Sequence, residues 1–587
     1  MLKLLKNLTK KDWILALYSI ILIIGQVWLE LKMPDYMSEI TVLVKKEGSQ
    51  MKDILINGGY MLSCALGSLV LAVIVGYLVS SIAADLSKNT RKKLFDKVLS
   101  LDIDEVKNFS TSSLITRSTN DITQVQMIVA MGLQLMIKAP ITAIWAITKI
   151  LNKSWQWSAI TGVAILIILS FVVSLMVVVM PKFKIVQKLT DKLNSVTREN
   201  LTGIRVVRAF NAEQYQEDKF ENVNKDLTNL QTFNQKKFSV MQPLMYFVMN
   251  ALTLAVYFVG ANLINEAIFS NKVAIFGDMV VFSSYALQVI MSFLMLAFIF
   301  MMIPRAEVSA KRINEVIDTP INMKDGNLKD GKKGEEGTIE FRNVSFKYPD
   351  AEDYLLKNIS FKANKGDTVA IIGLTGSGKS TLINLVPRFY DVTEGEVLVD
   401  GINVKEYSQA DLHNKIGYVP QKAVMFNGTV NSNVSYGENG KGEITEQKIK
   451  EAIEVAQGKD FVEKLDDKYD THIAQGGTNL SGGQKQRLAI ARAIARNPEI
   501  YIFDDSFSAL DYKTDSILRR ELKKYTKDAT SLIVAQRIGT IMNADKIIVL
   551  NDGIAVGMGT HKELLNNCDV YKQIALSQLT KEELEND

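Results

Sequence analysis

The sequence predicts six membrane-spanning α-helices with long cytoplasmic extensions, fused to an α/β domain of the P-loop type. Three observations lead to this fold class. Up to about Arg305, the 587-residue chain is dominated by apolar runs that are long enough to cross a hydrocarbon core of about 30 Å as helices. Basic residues are concentrated in alternate loops between these runs. Beyond Gly337, β-branched strands alternate with helical segments around a glycine-rich phosphate-binding pattern.

The chain begins with "MLKLLKNLTKKDW", in which leucines and lysines recur at helical spacing. Residues 1–12 are therefore predicted to form an amphipathic helix lying at the membrane interface. Residues 13–317 are assigned to the membrane domain. Its six predicted spans are Trp13–Leu29, Leu55–Ala84, Met127–Thr148, Trp157–Met180, Pro243–Ile264 and Met279–Ile303. A linker rich in glycine and charge is expected at 318–336, and residues 337–587 form the α/β domain.

The distribution of positive charge predicts the orientation of the spans. The N-terminus and the loops Asp85–Gln126 and Pro181–Val240 carry about 22 Lys and Arg residues, whereas the alternate loops carry about seven. Because loops rich in Lys and Arg stay on the cytoplasmic side, these segments, both termini and the α/β domain are expected in the cytoplasm. The chain is thus predicted to be a multi-pass protein of the cell (plasma) membrane.

Composition excludes several other classes of protein. The net charge of +4 and the pI of about 8.6 would suit a nucleic-acid partner. However, the excess base lies mostly in loops that flank apolar runs, so no nucleic acid is expected to bind. Cys64 and Cys568 lie far apart and indicate neither a disulfide framework nor a thiol catalyst. His413, His472 and His561 are too scattered to form a metal site.

A phosphate-binding loop is predicted between a strand and a helix in "VAIIGLTGSGKSTLINLV". Its pattern, G-x-x-x-x-G-K-[ST], lets backbone N–H groups curl around phosphate oxygens at the positive end of a helix. Lys379 is expected to bridge the β- and γ-phosphates, and the Ser380 hydroxyl is expected to coordinate Mg²⁺. The nucleotide-binding residues of this loop are Gly373, Leu374, Thr375, Gly376, Ser377, Gly378, Lys379, Ser380 and Thr381.

Two further motifs complete a nucleotide site. The apolar strand "EIYIFDD" ends in Asp504, which is expected to hold the magnesium ion together with the P-loop. "NLSGGQKQRLAIARAIARNP" opens a second helix whose first N–H groups and serine hydroxyl could bind an anion. One chain does not need two such helix ends for one γ-phosphate, so the second is expected to serve a nucleotide held on a partner domain.

With these motifs, nearly the whole chain resembles the exporter half-transporters of the ATP-binding cassette (ABC) family. The resemblance implies ATP and Mg²⁺ as cofactors and a dimer of such chains. Gln421 in "GYVPQKAVMF" matches the glutamine loop, and Tyr348 in "VSFKYPD" lies where the family stacks an aromatic ring on adenine. Ser380, Gln421 and Asp504 are then the implied magnesium ligands, partly through water. The signature that would bind ATP held by the partner is Leu480, Ser481, Gly482, Gly483 and Gln484, and the D-loop is Ser508, Ala509, Leu510 and Asp511.

Two residues depart from the family pattern at the γ-phosphate. In members that hydrolyse ATP well, a glutamate that polarises the attacking water follows the magnesium aspartate, but this chain has Asp505. A histidine that contacts the γ-phosphate is replaced by Gln536, which cannot carry a charge or shuttle a proton. The shorter carboxylate is displaced by about one C–C bond, and a misplacement of roughly 1 Å can lower a rate about 10²-fold. These departures predict a degenerate site that holds ATP and hydrolyses it slowly.

This asymmetry predicts the partner. In the family's head-to-tail dimer, each ATP lies between one chain's P-loop and the other chain's signature. Two copies of this chain would form two poor sites, whereas the intact signature Leu480–Gln484 could complete a competent site on a different half-transporter that carries the glutamate. We therefore expect a heterodimer.

The substrate is the least constrained expectation. Heterodimeric exporters with this degeneracy resemble bacterial multidrug exporters, which implies small amphiphilic, drug-like substrates, contact with membrane lipid and a bacterial source. The alternatives are a homodimeric lipid or peptide exporter, or an ATP-gated channel or sensor subunit that transports nothing. Aromatic and Met side chains could line an adaptable cavity or could simply face lipid and neighbouring helices. They are Trp145, Tyr246, Tyr257, Tyr285, Phe298 and Met301.

Overall fold

The computed structural model describes residues 2–45, 48–151, 155–438 and 440–579. The chain divides into two compact units. Unit 1 comprises residues 1–100 and 108–319, and unit 2 comprises residues 101–107 and 320–587.

Unit 1 is built of long helices, as the apolar runs predict. Six of the described helical segments are long and apolar enough to cross a membrane, which confirms the predicted membrane part of the fold. The helices up to residue 318, of which α4 belongs to unit 2, are α1 (Leu2–Leu5), α2 (Lys10–Lys45), α3 (Met51–Ser100), α4 (Ile103–Lys107), α5 (Thr111–Thr116), a π-helical turn (Arg117–Asp121), α6 (Ile122–Leu151), α7 (Trp155–Thr202), α8 (Ile204–Ala209), α9 (Glu213–Ser239), α10 (Met241–Glu266) and α11 (Phe269–Asp318).

The N-terminal segment differs from the single helix predicted over residues 1–12. Among the described residues 2–9, helix is confined to Leu2–Leu5, and the first span begins at Lys10. The Thr9 hydroxyl and the Asp12 carboxylate bond each other across the start of that span, which interrupts the predicted helix. Leu4 is buried, so this residue packs against protein.

The core of unit 1 decides between the two alternatives for one of the aromatic residues. Tyr285 is fully buried, and its single hydroxyl proton is directed to Asp35 Oδ1 at 2.6 Å, with the backbone oxygen of Leu31 also within 2.8 Å of the hydroxyl. The Tyr285 side chain therefore packs between α2 and α11 and does not line an open cavity. The others were left as either cavity or packing residues: Trp145 is half-buried, Tyr246, Tyr257 and Phe298 are exposed, and the side chain of Met301 lies outside the described residues.

Unit 2 contains the predicted α/β domain. Its strands are β1 (Ile339–Phe346), β2 (Leu356–Ala363), β3 (Thr368–Gly373), β4 (Glu394–Val399), β5 (Ile402–Asn403), β6 (Ile416–Val419), β7 (Gly428–Thr429), β8 (His472–Ile473), β9 (Ile500–Asp504), β10 (Thr530–Val534), β11 (Lys546–Asn551) and β12 (Ile554–Gly559). Its helices, after α4, are α12 (Lys379–Asn384), α13 (Gln409–Asn414), α14 (Val430–Val434), α15 (Glu446–Val455), α16 (Lys459–Val462), α17 (Gly482–Ala495), α18 (Tyr512–Tyr525), α19 (Ile538–Ile541), α20 (His561–Asn567) and α21 (Asp569–Leu576), with 3₁₀ turns at Lys468–Asp470 and Gln475–Gly477.

The larger sheet of unit 2 has the order β12-β11-β3-β10-β9-β6. Neighbouring strands from β11 to β6 are parallel, so the carboxyl ends of β3, β6, β9 and β10 lie at the same edge. A second sheet, of order β2-β1-β4-β5, is antiparallel. In open α/β sheets, ligands bind outside the carboxyl ends of parallel strands, which directs attention to that edge.

Two peripheral segments pack within unit 2. The predicted linker is anchored there by backbone bonds from Gly326 to Tyr407 and from Lys332 to Asp400. Residues 101–107 also belong to this unit, although they lie between two membrane spans in the sequence. The Asp102 carboxylate accepts a hydrogen bond from the Met323 amide, which ties this short segment to the linker.

Candidate nucleotide site

The P-loop connects the carboxyl end of β3 to α12, as the motif requires. Gly376 and Gly378 have φ values of +87° and +93°, a conformation that glycine adopts without steric strain. The Lys379 ammonium donates to the carbonyl oxygens of Gly373 at 2.9 Å and Leu374 at 2.8 Å, so it lies across the mouth of its own loop. Burial lowers the pKa of Lys379, and the carboxylates of Asp505 and Asp504 oppose that effect.

Ser380 and Asp504 are brought together although 124 residues separate them. The Ser380 hydroxyl donates to Asp504 Oδ1 at 2.8 Å. Burial raises the pKa of Asp504, as does the neighbouring Asp505, and the Ser380 hydrogen bond and Lys379 oppose this. A hydroxyl and a buried carboxylate are oxygen ligands of the kind that Mg²⁺ prefers, so these residues fit a magnesium ion beside a phosphate.

The two departures from the family pattern meet in one hydrogen-bonded cluster. Asp505 follows β9, and Gln536 lies two residues beyond the end of β10. The Gln536 amide donates to Asp505 Oδ2 at 2.9 Å, and Gln421 Nε2 lies 3.3 Å from the same oxygen. Burial raises the pKa of Asp505, and the amide hydrogen bonds and Lys379 counter it. Two neutral amide groups therefore contact one of the two carboxylate oxygens of Asp505.

Tyr348 lies next to the P-loop through Thr381. The two hydroxyl groups are 3.1 Å apart, and the Tyr348 ring contacts the Tyr390 ring edge-on at a centroid distance of 5.4 Å. Sequence reasoning missed a cation beside this pair: Lys107 Nζ donates to the Tyr390 hydroxyl at 2.7 Å and lies 5.2 Å from the Tyr348 ring centroid. Because 283 residues separate Lys107 from Tyr390, no local pattern could have joined them.

The signature forms the start of α17 and is partly exposed. Ser481 caps this helix: its hydroxyl accepts from the Gln484 amide, and the Gln484 side chain accepts from the Ser481 amide. Within the described part of the chain, neither side chain is bonded to a P-loop residue. Leu480 is buried, whereas Ser481 and Gly482 are exposed, so an anion from outside the chain could reach this helix end.

The D-loop lies between the signature and the cluster at Asp505. A Cβ atom added to Gly483 would lie 3.4 Å from the Ala509 carbonyl oxygen and 3.8 Å from Leu510, which places these loops in contact. On the other side, the Ser508 hydroxyl donates to the Asp505 carbonyl oxygen at 2.9 Å. Asp511 ends the loop by capping α18 through the Thr514 amide.

Comparison with known proteins supports the two parts separately. The family described as "ABC transporter transmembrane region" matches residues 16–293, and the family "ABC transporter" matches residues 356–508. A solved structure of a bacterial Atm1-family ABC exporter with ATP bound superposes with a TM-score of 0.82 at 22% identity, covering 96% of this chain and 98% of that one. At that identity the likeness concerns the fold, and it confirms the predicted fold class.

Curated relatives match over most of their length. An uncharacterized ABC transporter ATP-binding protein of Mycobacterium tuberculosis is 39% identical over 524 residues, 89% of this chain and 87% of that protein. The uncharacterized protein YfiB of Bacillus subtilis is 34% identical over 581 residues, 97% of each chain. An ATP-dependent lipid A-core flippase of Pseudoalteromonas translucida is 30% identical over 511 residues, 86% of this chain and 85% of that protein.

Proposed function

This chain belongs to the ABC transporter superfamily as an exporter-type half-transporter, and we propose that it is the degenerate-site subunit of a heterodimeric exporter. It is a multi-pass membrane protein, and its ATP-binding domain implies ATP hydrolysis coupled to transport. Its own P-loop would bind ATP with Mg²⁺ and turn it over slowly. Its signature would complete the site at which the partner hydrolyses ATP.

The nucleotide would be held at the carboxyl edge of the parallel sheet. Backbone N–H groups of Gly373–Thr381 would surround the phosphates, Lys379 would leave its carbonyl partners for the γ-phosphate, and Tyr348 would stack on the base. Ser380 and Asp504, with Gln421, would hold Mg²⁺, which neutralises the charge on the phosphate oxygens. The Ser380–Asp504 contact of 2.8 Å supports this assignment because both groups already converge on one point.

The single observation that carries the slow-site proposal is the hydrogen bond between Gln536 and Asp505. A general base must be within hydrogen-bond reach of the water whose proton it takes. The Asp505 carboxylate is shorter than glutamate, and its Oδ2 already accepts from two amides. Gln536 cannot supply a charge toward the γ-phosphate, so neither residue favours the transition state over bound ATP.

The partner is proposed to be a half-transporter with a glutamate at the Asp505 position. The signature supports this view because Ser481 is exposed and its helix is capped and intact, although the cluster at Asp505 is not suited to rapid chemistry. ATP binding at both sites would close the two cassettes and switch the membrane domains from inward- to outward-facing. Hydrolysis at the partner's P-loop would then reset the transporter. The cassettes and both termini would lie in the cytoplasm of a bacterial cell.

Small amphiphilic compounds, including drug-like ones, are the proposed substrates. The relative named as a lipid A-core flippase supports an amphiphile over a soluble ion, and it keeps a homodimeric lipid exporter as the principal alternative. A peptide exporter and a non-transporting channel or sensor subunit are the others. Uptake of an amphiphile against its gradient into inside-out vesicles, rather than passive conductance, would distinguish an exporter from a channel.

The decisive experiment is purification of the tagged chain from its native membrane, followed by identification of any co-purified half-transporter. The pair would then be compared with Lys379→Ala in this chain and with the matching P-loop lysine changed to Ala in the partner. We expect the partner's substitution to abolish ATP hydrolysis and Lys379→Ala to slow it only partly. A pure homodimer, or equal losses from the two substitutions, would contradict the heterodimeric arrangement.

A further inference from the structure

A polar cluster lies between three long helices of unit 1. Glu30 lies 17 residues beyond Trp13 along α2, roughly 25 Å at about 1.5 Å per residue. Lys138 lies near the middle of the apolar run Met127–Thr148 on α6. An ionisable residue inside such a run is costly and usually marks a functional site, and Glu30, which directly follows the run Trp13–Leu29, is its partner.

Glu30 is the centre of this cluster. Its Oε1 accepts hydrogen bonds from Lys138 Nζ at 2.8 Å, from Gln26 Nε2 at 2.9 Å and from the Ser68 hydroxyl at 3.2 Å. The side chains of Lys138 and Glu30 remain 18% and 24% exposed, so the ion pair is reachable from one side. Three helices, α2, α3 and α6, supply the four residues.

The cluster is not saturated. All three donors converge on Oε1, and no donor among the described residues reaches Glu30 Oε2. Gln26 is only 3% exposed, and its Oε1 is buried without a hydrogen-bond partner in the part of the chain that the structure describes. The Lys138 ammonium has three N–H donors and uses one of them on Glu30. Pro34 adds a further acceptor, because it has no N–H to donate to the Glu30 carbonyl four residues earlier.

A second ion pair nearby provides the contrast. Asp35 accepts from Lys149 Nζ at 2.8 Å on Oδ2 and from the Tyr285 hydroxyl at 2.6 Å on Oδ1, so each of its oxygens has a partner. This pair joins α2, α6 and α11, and its hydrogen bonds are explained by helix packing alone. A buried acceptor left unpaired is costly, and of these two ion-pair clusters the one at Glu30 contains such an acceptor among the described residues.

We propose that the Glu30–Lys138 cluster binds the headgroup of an amphiphile that carries a primary ammonium and a phosphate. The ammonium would donate to Glu30 Oε2 and Gln26 Oε1, and the phosphate would accept from Lys138. The protein pair has no net charge, so a zwitterion keeps the site neutral, whereas a singly charged ligand would leave an unpaired charge in a medium of low dielectric constant. A quaternary ammonium has no N–H and could not satisfy the Gln26 oxygen. This substrate class deepens the proposed function and rests on it.

The test is binding of short-chain phospholipids to the purified full-length chain in detergent, measured by native mass spectrometry without nucleotide. The lipids are phosphatidylethanolamine, phosphatidylcholine and phosphatidylglycerol with the same acyl chains. We expect phosphatidylethanolamine to bind about 10-fold more tightly than the other two, as one charge-assisted hydrogen bond would give. Glu30→Gln should abolish this preference. Asp35→Asn, the same chemical change in the saturated pair, should retain it.

Gln26→Met is the second variant, because it keeps the ion pair and the side-chain volume if Glu30→Gln fails to fold. It should lower the preference for phosphatidylethanolamine severalfold. Equal binding of the three lipids, a preference retained in Gln26→Met, or an equal loss in Asp35→Asn would overturn the assignment. The readout does not need ATP. If the chain selects the ethanolamine lipid but forms no heterodimer, the proposed assembly is refuted and the headgroup site is not. If it transports other amphiphiles without this selectivity, the headgroup site is refuted and the proposed function is not.

Discussion

Reversing the two departures from the family pattern should convert the proposed slow site into an active one. The perturbation is the double substitution Asp505→Glu and Gln536→His. Glutamate extends the carboxylate by one C–C bond of about 1.5 Å. Replacement of Gln536 removes the amide that donates to the carboxylate at 2.9 Å. Histidine then provides a group that can be charged or exchange a proton near the γ-phosphate.

The magnitude follows from this geometry. A misplacement of roughly 1 Å at a reacting group lowers a rate about 10²-fold, so the double variant should hydrolyse ATP about 10²-fold faster than the native chain. Since Asp505 and Gln536 are in direct contact, the two substitutions should not be additive, and their interaction energy should be about 0.5–3 kcal/mol. Asp505→Glu alone should gain less, because the Gln536 amide would still compete for the new carboxylate.

The assay is the ATPase activity of the purified chain in lipid, with both single variants, the double variant and Lys379→Ala. Asp505 has a φ of +46°, which aspartate tolerates better than most residues, so thermal unfolding must show that Asp505→Glu is folded. A folded double variant that binds ATP but is no faster than the native chain would refute the reasoning. So would rapid hydrolysis by the native chain that is lost in Lys379→Ala. If all variants are silent, the same comparison is made with the co-purified partner, whose own P-loop lysine is changed to Ala to isolate this site.

Three further predictions concern the cassette. Asp504→Asn should raise the thermal midpoint of the nucleotide-free protein at pH 7 and abolish Mg²⁺-dependent ATP binding. Burial raises the pKa of Asp504, so the folded state favours the neutral form of this side chain. The difference in thermal midpoint between the variant and the native chain should therefore narrow as the pH falls through that raised pKa. Tyr348→Ala should weaken ATP binding about 10-fold in a fluorescent-nucleotide titration, since base stacking contributes about 1–3 kcal/mol, whereas Tyr348→Phe should bind nearly normally. Ser481→Ala should lower the free energy of unfolding by about 1 kcal/mol through loss of the helix cap. It should also slow hydrolysis by the partner while leaving ATP binding at Lys379 unchanged; an unaltered partner rate would contradict the signature's role.

Much of this architecture was predictable because its signals are local. Spans such as Trp157–Met180 follow from length and hydropathy, and the P-loop follows from a fixed spacing between a strand and a helix. The parallel sheet then brings the ends of β3, β6, β9 and β10 to one edge, so motifs far apart in sequence converge there. The N-terminal helix was predicted too long because leucines and lysines keep helical spacing across the Thr9–Asp12 cap at which the first span starts.

The contacts that the sequence did not predict are long-range pairings of single residues. A lone Glu30 at the end of an apolar run and a lone Lys138 inside another indicate that each needs a partner, but nothing local says that they are partners. Their separation of 108 residues and the neighbouring Asp35–Lys149 pair leave several pairings open. Lys107 and Tyr390 present the same difficulty, because a lysine in a charged loop has no distinguishing pattern.

Asp505 has two explanations, and its neighbours separate them. Its left-handed backbone, φ +46°, is one that aspartate adopts more readily than glutamate, so local geometry alone could account for the shorter side chain. That explanation predicts nothing about the residue after β10. The structure places the Gln536 amide 2.9 Å from Asp505 Oδ2, so the two departures share one hydrogen bond. Both departures therefore take part in one contact, which supports the proposed slow turnover of ATP. Under the proposed function, a chain with that arrangement and an accessible signature would contribute to rapid hydrolysis through a partner's P-loop.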